Sequence, residues 1–242
     1  MKRFRMFGGP NGSGKSTLLT GIAEECSIGY YVNADEIEKE LRANGFIDCS
    51  NFFPTEVSNE QWLLFLNNLI ENDTRVQLNS LSSVRIKENV LIIEAPINSY
   101  IAAVIAEFMR YILLDCDVSF SFETVMSHPS KVEFLKEAKA KGFKTYLYFI
   151  STQDPSINIS RVANRVGKGG HDVDTDKIVS RYYRSMELLC DAFLSVDRAY
   201  IIDSSMEDGI SVFVEKNGDD VTITSEEVPE WIGKYLLEKL QK

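Results

Sequence analysis

Apolar positions along this chain fall into two rhythms. Short stretches of strand length, Phe4–Phe7, Tyr30–Asp35, Val118–Thr124, Thr145–Ile150 and Ala199–Ile202, alternate with longer segments in which apolar residues return every three or four positions. Thr145–Ile150 is apolar and aromatic throughout, as a strand covered on both faces requires. The helical rhythm occupies Thr17–Cys26, Ser58–Asn72 (with Trp62, Phe65, Leu66 and Leu69 at helical spacing), Ile157–Val166, Lys177–Ser195 and Pro229–Leu240. Tyr100–Leu114 is apolar nearly all round and is expected to be a buried helix. Ser130–Lys141 is expected to be a helix opened by a Ser130-x-x-Glu133 capping box and closed by Gly142. Near the end, Ser211–Glu215 and Val221–Thr224 flank Asn217-Gly218, a hairpin signal. Residues 74–93 are ambiguous between the two rhythms.

Strands alternating with helices predict an α/β fold: a parallel sheet flanked by helices. The reading is one domain over residues 1–242, with a mostly helical insertion at 51–117 between the second and third core strands and a C-terminal β-hairpin plus helix over 211–242.

Composition narrows the partners. The chain is 44% hydrophobic and 26% charged, ordinary for a folded globule, and its net charge is −10. That balance argues against nucleic acid or an anionic membrane as partner. Met1–Arg5 is expected to serve the first strand, leaving no cleavable leader, and Tyr100–Leu114 is too short and too charged for a bilayer span. Cys26, Cys49, Cys116 and Cys190 lie far apart with no C-x-x-C pair, which points away from zinc and from a disulfide framework and towards a cytoplasmic setting.

The chemistry starts at Gly9-Pro10-Asn11-Gly12-Ser13-Gly14-Lys15-Ser16, followed by Thr17, a full match to G-x-x-x-x-G-K-[ST] between a predicted strand and a predicted helix. Glycines let successive amides converge on one point, and the helix N-terminus adds partial positive charge there. Lys15 would reach β- and γ-phosphates and Ser16 would ligate Mg²⁺, so Pro10–Thr17 is expected to bind ATP or GTP with magnesium.

Further candidates lie on the later elements. Asp35, at the end of a predicted strand, is either a base for a substrate hydroxyl or a helix N-cap ahead of Glu36-Ile37-Glu38. Glu123 either holds substrate hydroxyls or a magnesium water, or is a solvated strand terminus. Arg161, Arg165, Lys168, Lys177, Arg181 and Arg184 concentrate cations in an acidic chain around Gly167-Lys168-Gly169-Gly170-His171. Residues 161–184 are expected to form a lid that brings arginine to the transferred phosphoryl group; the alternative is a solvated face paired with Asp172, Asp174 and Asp176. His171 and His128 have no second ligand at metal spacing, and a loop hydrogen bond is expected of His171. The apolar runs ending in acids, Leu91–Glu94, Leu113–Asp115 and Tyr200–Asp203, are not followed by Glu, and no Leu-Ser-Gly-Gly-Gln is present.

Taken in order, Gly8–Thr17, Val32-Asn33-Ala34-Asp35, Phe122-Glu123-Thr124-Val125-Met126-Ser127, the Lys131–Gly142 helix, Arg161-Val162-Ala163-Asn164-Arg165-Val166, Gly169-Gly170-His171 and Arg181-Tyr182-Tyr183 resemble the zeta-toxin family of P-loop kinases, in the branch labelled ABC-type or AAA-type ATPase. The resemblance covers about Lys2–Ser205 apart from the insertion. It implies a kinase in which Asp35 is the base, Glu123 positions substrate and lid arginines clamp phosphates. It also implies a UDP-amino sugar class of acceptor and an antitoxin-like protein partner. The rival readings are a regulatory nucleotide hydrolase without an acceptor, and a nucleotide-dependent switch that engages a protein through the insertion.

Overall fold

The computed structural model describes residues 1–72, 78–170, 172–206 and 209–241. In chain order the first half holds β1 (Arg3–Gly8), α1 (Lys15–Glu25), β2 (Tyr30–Val32), α2 (Ala34–Asn44), β3 (Phe46–Asp48), α3 (Asn59–Asn72), α4 (Leu78–Leu81), β4 (Val84–Lys87), β5 (Val90–Ile93) and α5 (Ser99–Asp115). The second half holds β6 (Phe120–Thr124), α6 (Ser130–Ala140), β7 (Lys144–Ser151), α7 (Pro155–Gly167), α8 (Thr175–Glu187), α9 (Leu189–Leu194), β8 (Arg198–Asp203), β9 (Ser211–Asn217) and β10 (Asp220–Ile223). Helical turns at Glu230–Ile232 and Glu238–Leu240 close the chain around a wider π turn at Gly233–Leu237. Two compact units result: Met1–Ile28 with Ser121–Lys242, and Gly29–Phe120.

The first unit is built on a sheet whose strands run in the order β10-β9-β8-β7-β1-β6. β1 pairs with β7 and β7 with β8 in parallel; β9 and β10 are added antiparallel. The register puts Phe7 beside Tyr148 and Tyr148 beside Tyr200, and the rings stack at 4.9 and 5.0 Å across the three strands. Such cross-strand aromatic pairs are the unit of sheet stabilisation. On α6, Phe134 packs at 5.4 Å from both Phe4 and Phe122, edge-on, which seats the helix on β1 and β6.

Several local expectations change. Ser130 does not cap α6: the cap position is Pro129, Ser130 Oγ lies 3.0 Å from His128 Nδ1, and Glu133 pairs with Lys136 at 2.8 Å. The long helix expected over Lys177–Ser195 breaks at Leu188 into α8 and α9. The C-terminal hairpin turns on Gly218-Asp219, one residue later than the Asn-Gly signal, with Gly218 at φ 65° in the first loop position.

In the second unit, α5 is buried on most of its surface, as its composition requires, and packs on α2. Phe108 of α5 meets Trp62 of α3 edge-on at 5.2 Å, with Phe65 5.5 Å from Phe108. Beside these helices stands an antiparallel sheet in the order β3-β5-β4, which the sequence did not reveal. No helix among the described residues is long and apolar enough to cross a membrane.

Candidate active site

The loop from Gly9 to Gly14 joins the buried end of β1 to the start of α1. Its amide at Gly9 donates to the Thr124 carbonyl at 3.2 Å, tying the loop to the end of β6. Gly14 stands at the N-cap of α1 with φ 91°, a left-handed conformation that glycine adopts without a Cβ penalty. Gly12, at φ 75°, passes so close to α7 that a Cβ there would lie 2.7 Å from the Asn158 carbonyl oxygen.

This loop fits an anion. Among the described residues no side chain caps α1, and its first turn holds no acid. The leading amides of an uncapped helix need acceptors, and the aligned dipole favours negative charge. By contrast α2 is capped by Asn33 and carries Asp35 and Glu36 in its first turn. Ser13 Oγ, a buried hydroxyl with a proton to give, finds no hydrogen-bond partner among the described residues. Lys15 folds back over the loop, its Nζ donating to the Pro10 carbonyl at 2.7 Å.

Ser16, in the first turn of α1, donates to the Glu123 carboxylate at 3.0 and 3.2 Å from its two oxygens. A carboxylate and a hydroxyl are hard oxygen donors of the kind Mg²⁺ takes alongside phosphate and water, whereas a dedicated all-protein cage is not its habit. Among the described residues no group of three or more His, Cys, Asp and Glu forms such a cage. Thr17 follows on the same turn and is exposed. Asp203, the end of one acid-terminated run, is already engaged: it accepts from Trp231 Nε1 at 2.7 Å, from Ser205 N at 2.8 Å and from Ser205 Oγ at 3.0 Å.

The two arginines expected on the lid are in different settings. Arg161 is turned onto Ser204, with Nη1 3.2 Å from Ser204 Oγ and Nη2 2.6 Å from its carbonyl. Arg165 is exposed and lines an open basin of about 490 Å³ with Arg161, Asn164, Lys168, Gly169 and Gly170. Asp154 caps α7, accepting from Ser156 N at 2.8 Å, and Asp174 caps α8, accepting from Lys177 N at 3.2 Å. His171, expected in the loop between them, lies outside the described residues.

Asp35 belongs to the second unit. β2 ends at Val32, not at Asp35, and α2 begins at Ala34. The N-cap is Asn33, whose Oδ1 accepts from Asp35 N at 2.8 Å and Glu36 N at 3.4 Å. Asp35 is therefore no cap. Its exposed side chain stands in the first turn, where an acid is favoured by the helix dipole.

The sequence reading passed over the residues that brace the loop from behind. Asn158 is buried in α7 and donates from Nδ2 to the Asn11 carbonyl at 2.6 Å; its Oδ1 accepts from Thr152 Oγ1. Tyr182 of α8 donates to the Thr152 carbonyl at 2.7 Å. Ser204 donates to the Ser13 carbonyl at 2.8 Å. A signal existed: Thr152 and Ser204 are small polar residues just past the ends of β7 and β8, where ligand sites of α/β sheets form.

No protein-family model matches the chain. A stretch of 65 residues is 34% identical to an uncharacterized protein of Haemophilus influenzae, covering 27% of this chain and 46% of that protein. In structure, 98% of the chain matches a chain of the crystallised AvrRxo1-ORF1:AvrRxo1-ORF2 pair with sulphate ions, at a TM-score of 0.57 and 14% identity. The same pair crystallised with ATP matches at 0.57 as well. The whole chain matches 88% of a chain from the PezAT chromosomal toxin-antitoxin system of Streptococcus pneumoniae, at 0.53 and 15% identity. The fold is shared with these proteins. The chain spans 65% of the AvrRxo1-ORF1:AvrRxo1-ORF2 chain that it matches. The α/β fold anticipated from the resemblance to zeta-toxin kinases is the fold observed: a mostly parallel sheet flanked by helices, with a glycine-rich loop at the end of its first strand.

Proposed function

We propose that this protein is an ATP- and Mg²⁺-dependent phosphotransferase that phosphorylates a hydroxyl of a small molecule. The observation that carries the reading is the Ser16–Glu123 pair, which sits beside Lys15 at the uncapped start of α1. Mg·ATP, when bound, supplies the phosphoryl group that passes to the acceptor oxygen, leaving ADP.

Each residue then has one task. The amides of 11–16 and Lys15 hold phosphate oxygens. Ser16 would ligate magnesium, and Glu123, already bonded to that hydroxyl, fixes its direction and would hold a water on the metal. Arg165, exposed on the basin of α7 beside Gly169-Gly170, meets charge on the transferring group. Asp35 takes the acceptor's proton as general base, since α2 is already capped by Asn33 and leaves that carboxylate without a capping duty.

The resemblance to zeta toxins supports a nucleotide sugar, of the UDP-amino sugar class, as acceptor. One neighbour was crystallised in the AvrRxo1-ORF1:AvrRxo1-ORF2 pair, and the PezAT neighbour belongs to a toxin-antitoxin system, which supports an antitoxin-like protein as partner; the four separated cysteines support the cytoplasm as the place of action. One observation favours a second reading, the nucleotide-dependent switch: Leu63 and Leu64 of α3 are 47% and 63% exposed, an apolar spot that a partner protein would cover.

The test of the site is calorimetry of Mg·ATP with wild type and Lys15→Ala. The variant should keep its fold, because Lys15 is half-buried at the loop and no part of the core, and should lose measurable binding. Equal affinity in the two proteins refutes the phosphate-loop assignment.

A further inference from the structure

A loop that points its amides at a phosphate must point its carbonyls the other way. Each peptide unit is planar and trans, so the C=O of one residue and the N–H of the next are opposed. The carbonyls of an anion-binding loop therefore face the protein interior, and there each needs a donor. In this chain two of those donors are side chains from outside the loop. Asn158 Nδ2 holds the Asn11 carbonyl at 2.6 Å, and Ser204 Oγ holds the Ser13 carbonyl at 2.8 Å. The amides opposed to these two carbonyls belong to Gly12 and Gly14, at φ of 75° and 91°; the third loop glycine with positive φ, Gly9 at 143°, already has its amide tied to the Thr124 carbonyl. Glycine is the residue least able to hold its own direction. The grips thus fall on the two peptide units that would otherwise be free to turn.

We propose that Asn158 and Ser204 are positioning residues that aim the Gly12 and Gly14 amides at the phosphates, and that Arg161 acts through Ser204 rather than on the nucleotide. The inference rests on the phosphate-loop reading of Gly9–Ser16 and deepens it.

Both grips are themselves held. Asn158 is wholly buried, and its Oδ1 accepts from Thr152 Oγ1, which fixes the amide so that Nδ2 is the atom facing Asn11. Tyr182 of α8 donates to the Thr152 carbonyl at 2.7 Å. Ser204 is 3% exposed. Its backbone N–H donates to the Ser151 carbonyl at 2.8 Å, which fixes the main chain. Arg161 then donates to its hydroxyl oxygen at 3.2 Å and to its carbonyl at 2.6 Å. A hydroxyl has one proton. With its oxygen accepting from Arg161, that proton goes to the Ser13 carbonyl, the nearer of its two acceptors; Ser151 O lies farther off at 3.2 Å. Asn158 and Arg161 are three apart on α7 and so lie on one face, the face turned to the loop. Arg165, one turn on, lines the basin.

The experiment is Mg·ATP titration calorimetry on Ser204→Ala, Ser204→Thr, Asn158→Ala and Arg161→Ala, with the unfolding midpoint of each nucleotide-free protein beside it. Ser204→Ala removes one oxygen and should weaken ATP binding about tenfold, the worth of one well-placed hydrogen bond, while the Ser13 carbonyl left unpaired lowers the midpoint modestly. Ser204→Thr keeps the hydroxyl and should restore affinity. Asn158→Ala should weaken binding at least as much. Arg161→Ala should match Ser204→Ala, and the double variant should lose nothing more, because both act on one carbonyl. If Ser204→Ala and Asn158→Ala stay within about twofold of wild type while Lys15→Ala abolishes binding, the grips are structural only and the inference is overturned. If the double variant is weaker than either single one by a further tenfold or so, Arg161 touches the phosphates itself and its part of the inference falls. Wild type that binds no Mg·ATP takes down the phosphate-loop reading, and this inference with it.

Discussion

Asn33 and Asp35 show how two neighbouring side chains divide structural and chemical work. Asn33 caps α2 through its Oδ1 and also donates from Nδ2 to Tyr31 Oη at 2.8 Å. Asn33→Ala should therefore cost about 1 kcal/mol of stability, as the loss of an N-cap does, and urea unfolding measures it. Asp35→Asn removes only a charge in the first turn, so its unfolding midpoint should stay close to wild type. Its phosphoryl transfer should fall about 10²–10⁴-fold if Asp35 is the base. A variant that transfers at the wild-type rate strips Asp35 of that role. The sequence left base and cap open because Asp is a favoured cap; what it did not weigh is that Asn, two residues earlier, is as good a cap and precedes the helix directly. Lys15, Ser16 and Glu123 stood out as candidates from residue type and strand-end position. Asn158 and Ser204 did not, because a buried Asn or Ser leaves no periodic trace and its partner is a distant backbone carbonyl.

Elements with a strong rhythm were legible: β1, β7, β8, α5 and α7 lie where the apolar pattern places them, with ends shifted by one or two residues. The sheet β3-β5-β4 was missed for a physical reason. Its β4–β5 hairpin turns on Glu88 and Asn89, at φ 51° and 62°, with no glycine to announce the left-handed pair. Asn89 is instead held from outside, its Oδ1 accepting from Val57 N at 2.9 Å and its carbonyl from Cys49 N at 3.0 Å. On α7 the two arginines are predicted to separate kinetically. Arg165→Ala should lower turnover by about 10³-fold with modest change in ATP affinity, as for other arginine clamps on a transferring phosphoryl group. A rate within a few-fold of wild type in steady-state assays would leave Arg165 as surface charge. At the start of β8, Asp197 ties α6 and β7 together. Burial pushes its carboxyl upward, but the Thr145 amide at 2.8 Å, the Thr145 hydroxyl at 3.0 Å and the Lys139 ammonium at 3.1 Å outweigh it and hold the group below the usual carboxylate range. A depressed folded value means stability that is present above about pH 4 and is lost as pH falls through the lower, folded value. Thermal midpoints from pH 6 to pH 2 should thus fall more steeply in wild type than in Asp197→Asn. Parallel curves would show that this carboxylate contributes nothing.

For the molecule as a whole, the parallel α/β plan was legible because strands buried on both faces leave unbroken apolar runs, and the glycine-rich loop marked which strand comes first. The extent of the second unit was less so: sequence marked 51–117 by its helical rhythm, whereas the compact unit spans Gly29–Phe120 and includes β2 and α2. Those elements share the rhythm of the core around them, and only tertiary contacts assign them. With a net charge of −10, the proposed anion site would have to be gathered from backbone amides, Lys15 and Arg165. The central claim is that the bound phosphoryl group is passed to a hydroxyl. The direct measurement is ³¹P NMR of Mg·ATP with wild type and a panel of nucleotide sugars and nucleosides. A new phosphate-ester resonance growing in step with ADP, and absent with Asp35→Asn, is the predicted result. ADP formed in step with inorganic phosphate alone, whatever acceptor is offered, contradicts the claim and makes the protein a nucleotide hydrolase.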